Sequence, residues 1–316
     1  MKSTNGDLLK ALHSARKKIA YVCLFILLVA RQTNFFKSKR RVRDAKPLFL
    51  TYAKIGEHGR LGNQIFQLAS TIGIAETNGV KWRFTERITD TAVGELFSLQ
   101  GNLDDALAKT LAQHSEVAET FYDVRLYSDH GQPISLHGYF QWPQYFEHSV
   151  DTLRSHLRVN PELVYAVHSR YPGLSKQRNV AVHVRRGDYV KFQHIYNLLD
   201  WKYYIDALRH VDFEHVYIVS DDKEWCASEL ATRISTNVTI SEFSNELLDF
   251  ALLYMSDAIV ISSSSFSWWA GFLKDVHSFS QNHIIVAPKY RYNPSGSHAY
   301  LNSRSYYPKS WRVIDT

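Results

Sequence analysis

In the second half of the chain, apolar residues fall in short runs separated by longer amphipathic stretches. Val180–Val184, Val216–Val219, Ala258–Ile261 and Ile284–Ala287 each have the length of a strand buried on both faces. Between them the spacing predicts helices over Trp201–His210, Leu247–Met255 and Ser267–Leu273. Strand and helix in regular alternation predict a parallel sheet covered on both sides. Nearer the start, Phe49–Lys54 reads as a strand and Asn63–Thr77 as a helix with Ile65, Leu68, Ala69, Ile72 and Ala75 on one face. The stretch from Arg87 to Tyr171 is less regular. Thr110–Phe121 reads as a helix and Ser135–Tyr139 as a strand, close to the aromatic cluster Trp142, Tyr145 and Phe146. Turn signals in Tyr171-Pro-Gly-Leu-Ser175 mark a domain boundary. The expected fold is therefore α/β, with two Rossmann-like domains built on parallel sheets over residues 48–172 and 173–316.

Ahead of these elements stands an uncharged apolar run, Ile19–Ala30, preceded by Arg16, Lys17 and Lys18 and followed by Arg31 and the basic stretch Lys37–Arg43. Its length suits a signal peptide, whereas a full span needs about 20 apolar residues. No small-residue pair precedes a cleavage point, and Gln32–Phe36 can extend the span, so an uncleaved signal-anchor over 19–36 is expected. Residues 1–18 would then be a cytoplasmic tail and 37–47 a short basic stem. Basic residues on both sides blunt the positive-inside rule. The sequon Asn237-Val-Thr239 marks a candidate glycosylation site and favours a lumenal body.

The formal charge of +6 invites a nucleic-acid reading, but its distribution removes it. Residues 1–47 hold 12 Lys and Arg against 2 Asp and Glu, which leaves 25 against 29 in the body. A net acidic body is a poor phosphate-backbone binder. With 45% hydrophobic residues the chain can bury a large core. Only Cys23 and Cys226 are present, one of them in the apolar run, so no disulfide framework holds the body. The 15 histidines show no zinc spacing.

Three polar segments fall at strand ends, where ligands of parallel α/β sheets sit. His183-Val-Arg-Arg-Gly-Asp188 puts two guanidiniums where the chain leaves a sheet, with Gly187 permitting a tight turn. Planar guanidinium forks match phosphate oxygens, although an Arg-Arg pair can equally be tied to Asp188. Ile261-Ser-Ser-Ser-Ser-Phe-Ser-Trp-Trp-Ala-Gly271 ends a strand and opens a helix. Free amides at a helix start bind phosphate, and one serine can cap the same helix. Gly59-Arg-Leu-Gly62-Asn-Gln64 follows the first strand without dinucleotide or P-loop spacing. Asp249 interrupts the apolar run Leu247 to Ala251. It needs donors, which the pairing edge of guanine or the helix dipole can supply.

Taken in order, GRLGNQ (59–64), HVRRGD (183–188) and SSSFSWWAG (263–271), with Ser220-Asp-Asp222 between the last two, resemble the alpha-1,2-fucosyltransferases of glycosyltransferase family 11. The resemblance runs over about Phe49–Thr316 and is weakest from Arg87 to Tyr171. It implies a GT-B-like fold, GDP-fucose as donor, inversion at the sugar carbon, and transfer to the 2-hydroxyl of a galactose-like residue on a glycan. Residue by residue, it implies that Arg185 holds the donor phosphates with Arg186 in support, and that His183 and Asp249 contact guanine. Ser264, Ser265, Phe266 and Ser267 match the phosphate-binding and base-flanking loop. Asp221 falls near the nucleotide, and Asn63 near the reacting centre. With Arg185 and Asn63, Asp188 completes the candidate catalytic set, while the general base stays unassigned among Asp188, Glu57, His58 and a leaving phosphate oxygen. No Asp-X-Asp triplet is present, so a metal-independent reaction without cofactor is expected. The expected location is the Golgi membrane, single-pass type II, with the catalytic body lumenal. The alternatives are a protein O-fucosyltransferase, another GDP-sugar transferase, or a non-catalytic membrane-anchored glycan-binding protein.

Overall fold

The computed structural model describes residues 46–117, 119–128, 131–278 and 283–316. The expected tail, the signal-anchor over 19–36 and nearly all of the stem lie outside the described residues. No helix among the described residues is long and apolar enough to cross a membrane. Residues 46–48, 125–128, 131 and 132 belong to one compact unit, where the Leu48 amide donates to the Gly131 carbonyl at 2.9 Å. Everything described below belongs to the other unit, which contains residues 49–124 and 133–316.

That unit carries two wholly parallel sheets. The first is built from β1 (Phe49–Thr51), β2 (Lys81–Trp82), β3 (Ala112–Ser115) and β4 (Ile134–His137), in the order β2-β1-β4-β3. Helix α1 (Leu61–Asn78) follows β1 and is buried along most of its length. It ends where Gly79 turns left-handed, letting the amides of Gly79 and Val80 reach the Glu76 and Ala75 carbonyls. Helices α2 (Ala92–Phe97), α3 (Asp105–Thr110), α4 (Val150–His156) and α5 (Pro161–Arg170) complete this half. The second sheet contains β5 (Asn179–Val184), β6 (His215–Ser220), β7 (Asn237–Ile240), β8 (Ala258–Val260), β9 (Ile285–Pro288) and β10 (Arg312–Ile314), in the order β10-β9-β8-β5-β6-β7. Short helix α6 (Gly187–Lys191) and helices α7 (Trp201–Leu208), α8 (Glu246–Met255) and α9 (Ser265–His277) connect these strands.

Every residue of β5 is buried, as a central strand covered on both faces requires. Val180, Val182 and Val184 pack with Tyr203, Tyr204, Leu208, Ile218 and Val260 in one core. A second, aromatic core joins the two sheets. Phe66 of α1 lies 4.9 Å from Trp268 and 5.0 Å from Trp269 of α9, ring centre to ring centre, and Phe146 stacks on Trp269 at 5.1 Å. The two tryptophans are 1% and 0% exposed, which makes the Trp-Trp pair a packing element.

The structure corrects one predicted element and adds several. Thr110–Phe121 is not a helix: α3 stops at Thr110, Leu111 is extended, and Ala112–Ser115 pairs in register with β4. Pairing along an available strand edge overrides a weak local pattern. Edge strands β2, β7 and β10 had no counterpart among the predicted elements. Asn237 opens β7 and is exposed.

Candidate active site

In the second sheet the chain runs β5-β6-β7 to one side and β8-β9-β10 to the other, which puts the switch point between β5 and β8. In the first it lies between β1 and β4. The carboxyl ends of strands at such points hold ligands in open α/β sheets. Both switch points open here into one cavity of about 790 Å³. Residues of the GRLGNQ segment with Tyr139 and Gln141 line it from the first half, and residues of the HVRRGD and serine segments from the second.

The second sheet supplies a base-sized niche and a cationic wall. His183, next to last in β5, is buried with Nδ1 at 2.9 Å from both Ser262 Oγ and Ser267 Oγ. Burial, with the neighbouring Arg185 charge, lowers its pKa to about 3, so the ring is neutral. Its ring centre is 5.2 Å from that of Phe266, which also meets Phe250 edge-on. Asp249 of α8 faces the same space and accepts a hydrogen bond from Ser241 Oγ. Burial raises its pKa to about 6, against the opposing effects of that bond and of Lys223.

Arg185 is held on two sides: Nη2 donates to Asp188 Oδ1 at 2.5 Å, and Nη1 lies 2.9 Å from Asp221 Oδ2. Its Nε is buried without a partner. Asp188 also lies 3.5 Å from Arg60 of the glycine loop. Gly187 works by close approach, since an added Cβ would stand 2.4 Å from Asp221 Oδ2. The expected tight turn is thus a backbone pressed against a carboxylate. Ser264 caps α9, accepting from the Phe266 amide at 3.3 Å, while Ser265 and Phe266 open that helix toward the cavity.

Of the predicted residues, Asn63, His183, Arg185, Asp188, Asp221, Asp249, Ser264, Ser265 and Phe266 line the cavity. Arg186 and Ser267 do not. Arg186 turns away, with Nε bonded to Asp222 at 3.0 Å and its guanidinium 4.1 Å from the Trp225 ring centre. Ser267 stands behind His183. Asn63 Oδ1 accepts from Ser265 Oγ at 2.9 Å and from Gln141 Nε2 at 2.6 Å, so loops of both sheets meet at this amide.

Several cavity residues carried no motif. Tyr189 and Tyr196 stack at 4.2 Å and 7°, Tyr292 continues the stack at 6.0 Å, and His298 and Tyr300 extend it outward. Tyr300 is 66% exposed and donates to Glu119. Tyr139, on the cavity wall, is 48% exposed. Arg291 follows β9 by three residues and donates to Gln141. Its position after a predicted strand was the one available signal. The aromatic stack comes from α6 and the segment after it and from the connection between β9 and β10, and had none.

Two parallel α/β sheets meeting at a shared cleft define the class, a GT-B-like α/β fold. The solved fucosyltransferase NodZ from Bradyrhizobium shares it, with a TM-score of 0.51 at 13% identity over 72% of this chain and 94% of that one. Residues 113–314 match the model of glycosyl transferase family 11, and the chain belongs to that family, as the motif blocks implied. The first block, GRLGNQ, lies outside the matched stretch. An Escherichia coli alpha-1,2-colitosyltransferase is 34% identical over 147 residues, 43% of this chain and 48% of that protein. A Caenorhabditis elegans galactoside 2-alpha-L-fucosyltransferase is 26% identical over 265 residues, 74% of this chain and 72% of that protein. The chain thus spans about half the length of the first relative.

Proposed function

We propose that this protein is an inverting fucosyltransferase that moves L-fucose from GDP-fucose to the 2-hydroxyl of a galactose-like residue on a glycan. One observation carries the reading: a neutral buried histidine, a carboxyl group, an arginine and a helix start converge on one cleft at the switch points of both sheets. Guanine fits the niche between Phe266, His183 and Asp249, its two adjacent N–H groups donating to the carboxylate. The diphosphate lies toward Arg185 and the first amides of α9, which offset the charge that develops on the leaving group.

The donor sugar then points toward Asn63 and the glycine loop. A glycan acceptor enters along the aromatic stack from Tyr300 and Tyr139 and attacks the face opposite GDP through an oxocarbenium-like transition state. Asp188 is engaged by Arg60 and Arg185. A diphosphate that takes over Arg185 leaves this carboxylate paired only with the exposed Arg60, and so able to accept the proton of the attacking hydroxyl. No step calls for a metal ion. Residues 19–36 are read from sequence alone as a signal-anchor holding the body in the Golgi lumen, with Asn237 exposed to glycosylation.

The decisive experiment incubates the protein with GDP-fucose and a panel of galactosides and follows GDP release and product linkage. Acceptor-dependent release with a 1,2-linked product supports the reading. Glycan binding without GDP release under any condition would replace it with a lectin, and transfer to serine or threonine of a folded protein would replace the acceptor assignment.

A further inference from the structure

We propose that Arg291 is the second cation of this cleft and meets the terminal phosphate of the donor's diphosphate, the group that leaves with GDP. The inference rests on the nucleotide-sugar reading above. It starts from the state of the cleft's other cations. Arg185 is neutralised by Asp188 and Asp221, Arg60 reaches Asp188, and the Lys223 ammonium donates to the Phe243 carbonyl at 2.7 Å. Arg291 has no carboxylate within ion-pair distance among the described residues. Its guanidinium partner is the neutral Gln141 Oε1, and it lies over the rings of Tyr306 at 4.6 Å and Tyr292 at 5.0 Å.

A partly buried guanidinium left without a counter-ion is unfavourable, and aromatic faces recover only part of the lost hydration. A charge kept in that state is matched to an anion that arrives later. The fork has five N–H donors, and Gln141 occupies one of them. The remaining donors suit a phosphate, whose oxygens fit the spacing of a guanidinium.

The surroundings say which phosphate. From Arg291 a polarised chain runs through Gln141 to Asn63 Oδ1, which also accepts from Ser265 Oγ at the start of α9. The base niche, by contrast, is formed by His183, Phe266 and Asp249. Arg291 therefore stands with the Asn63 end of the cleft, where the diphosphate joins the sugar. The two arginines, one beyond β5 and one beyond β9, then face the same leaving group.

Calorimetric titration of GDP, GMP and guanosine into wild type and Arg291→Met tests this. Wild type is expected to bind GDP at least tenfold more tightly than GMP, and Arg291→Met to erase that preference while GMP and guanosine bind within twofold of wild type. An unchanged GDP-to-GMP ratio in the variant overturns the inference, as does parallel weakening of all three ligands, which would mark a structural role. If Arg291→Met does not fold by circular dichroism, the same ratio is read on Arg291→Gln, which is neutral and polar. The parent reading fails separately: wild type that binds GDP no better than UDP refutes the guanine niche, and the Arg291 test then runs on UDP against UMP.

Discussion

Replacing Gly62 with alanine probes the place where the loops of the two sheets touch. A Cβ there would stand 2.6 Å from both the Phe266 amide nitrogen and the Ser265 carbonyl carbon. Both are backbone atoms, so no side-chain rotation relieves the overlap. Ordinary contact begins at 3.4 Å, so α1 and the start of α9 must part by about 0.8 Å, the difference between those distances. Overpacking of this kind costs about 1–3 kcal/mol. A chain of 316 residues loses roughly 1–2 °C of melting temperature per kcal/mol. The larger effect falls on chemistry. Asn63 and Ser265 meet at 2.9 Å beside this contact, and a displacement of ~1 Å between substrate-positioning groups costs about a hundredfold in rate. Thermal melting and kcat/KM for fucosyl transfer are the assays. The variant should melt a few degrees lower and lose about two orders of magnitude in kcat/KM. A folded Gly62→Ala protein with kcat/KM within threefold of wild type would refute the claim that this contact sets the geometry of the cleft.

Arg185→Ala should abolish transfer and also lower the melting temperature, because Asp188 and Asp221 lose their shared cation; activity within tenfold of wild type would remove Arg185 from the phosphate site. Asp249 holds its proton more tightly folded than unfolded, titrating at about 6. Its effect on stability is therefore most favourable below the ordinary carboxylate range and declines as pH rises through about 6. Relative to Asp249→Asn, wild type should lose melting temperature between pH 4 and 7 while gaining GDP affinity, and a pH-independent difference between the two proteins contradicts this. Addition of EDTA should leave turnover nearly unchanged; complete loss restored by a divalent cation would overturn the metal-free mechanism.

The motif loops were legible because each combines a buried strand with an abrupt polar segment, a pattern that survives without coordinates. His183–Asp188 after β5 and Ser262–Ser267 after β8 were found this way, and the structure places them at adjacent strand ends. The edge strands were harder. Ala112–Ser115 is largely exposed and polar, and only its pairing with β4 makes it a strand. Arg186 was grouped with Arg185 because sequence neighbours share a motif. At the end of β5 they diverge, one facing the cavity and the other stacking on Trp225.

What the sequence determined by itself is the local chemistry: alternating strands and helices, a guanidinium pair and a serine-rich helix start, all fixed by patterns a few residues long. Only the tertiary structure decided which groups stand free. Asp188, the last residue of the phosphate motif, is paired with Arg60 from far along the chain, and Arg291, which belongs to no motif, has no carboxylate partner among the described residues. Those outcomes depend on contacts between distant loops, and the strand order that brings the loops together follows from how two sheets pack around one aromatic core.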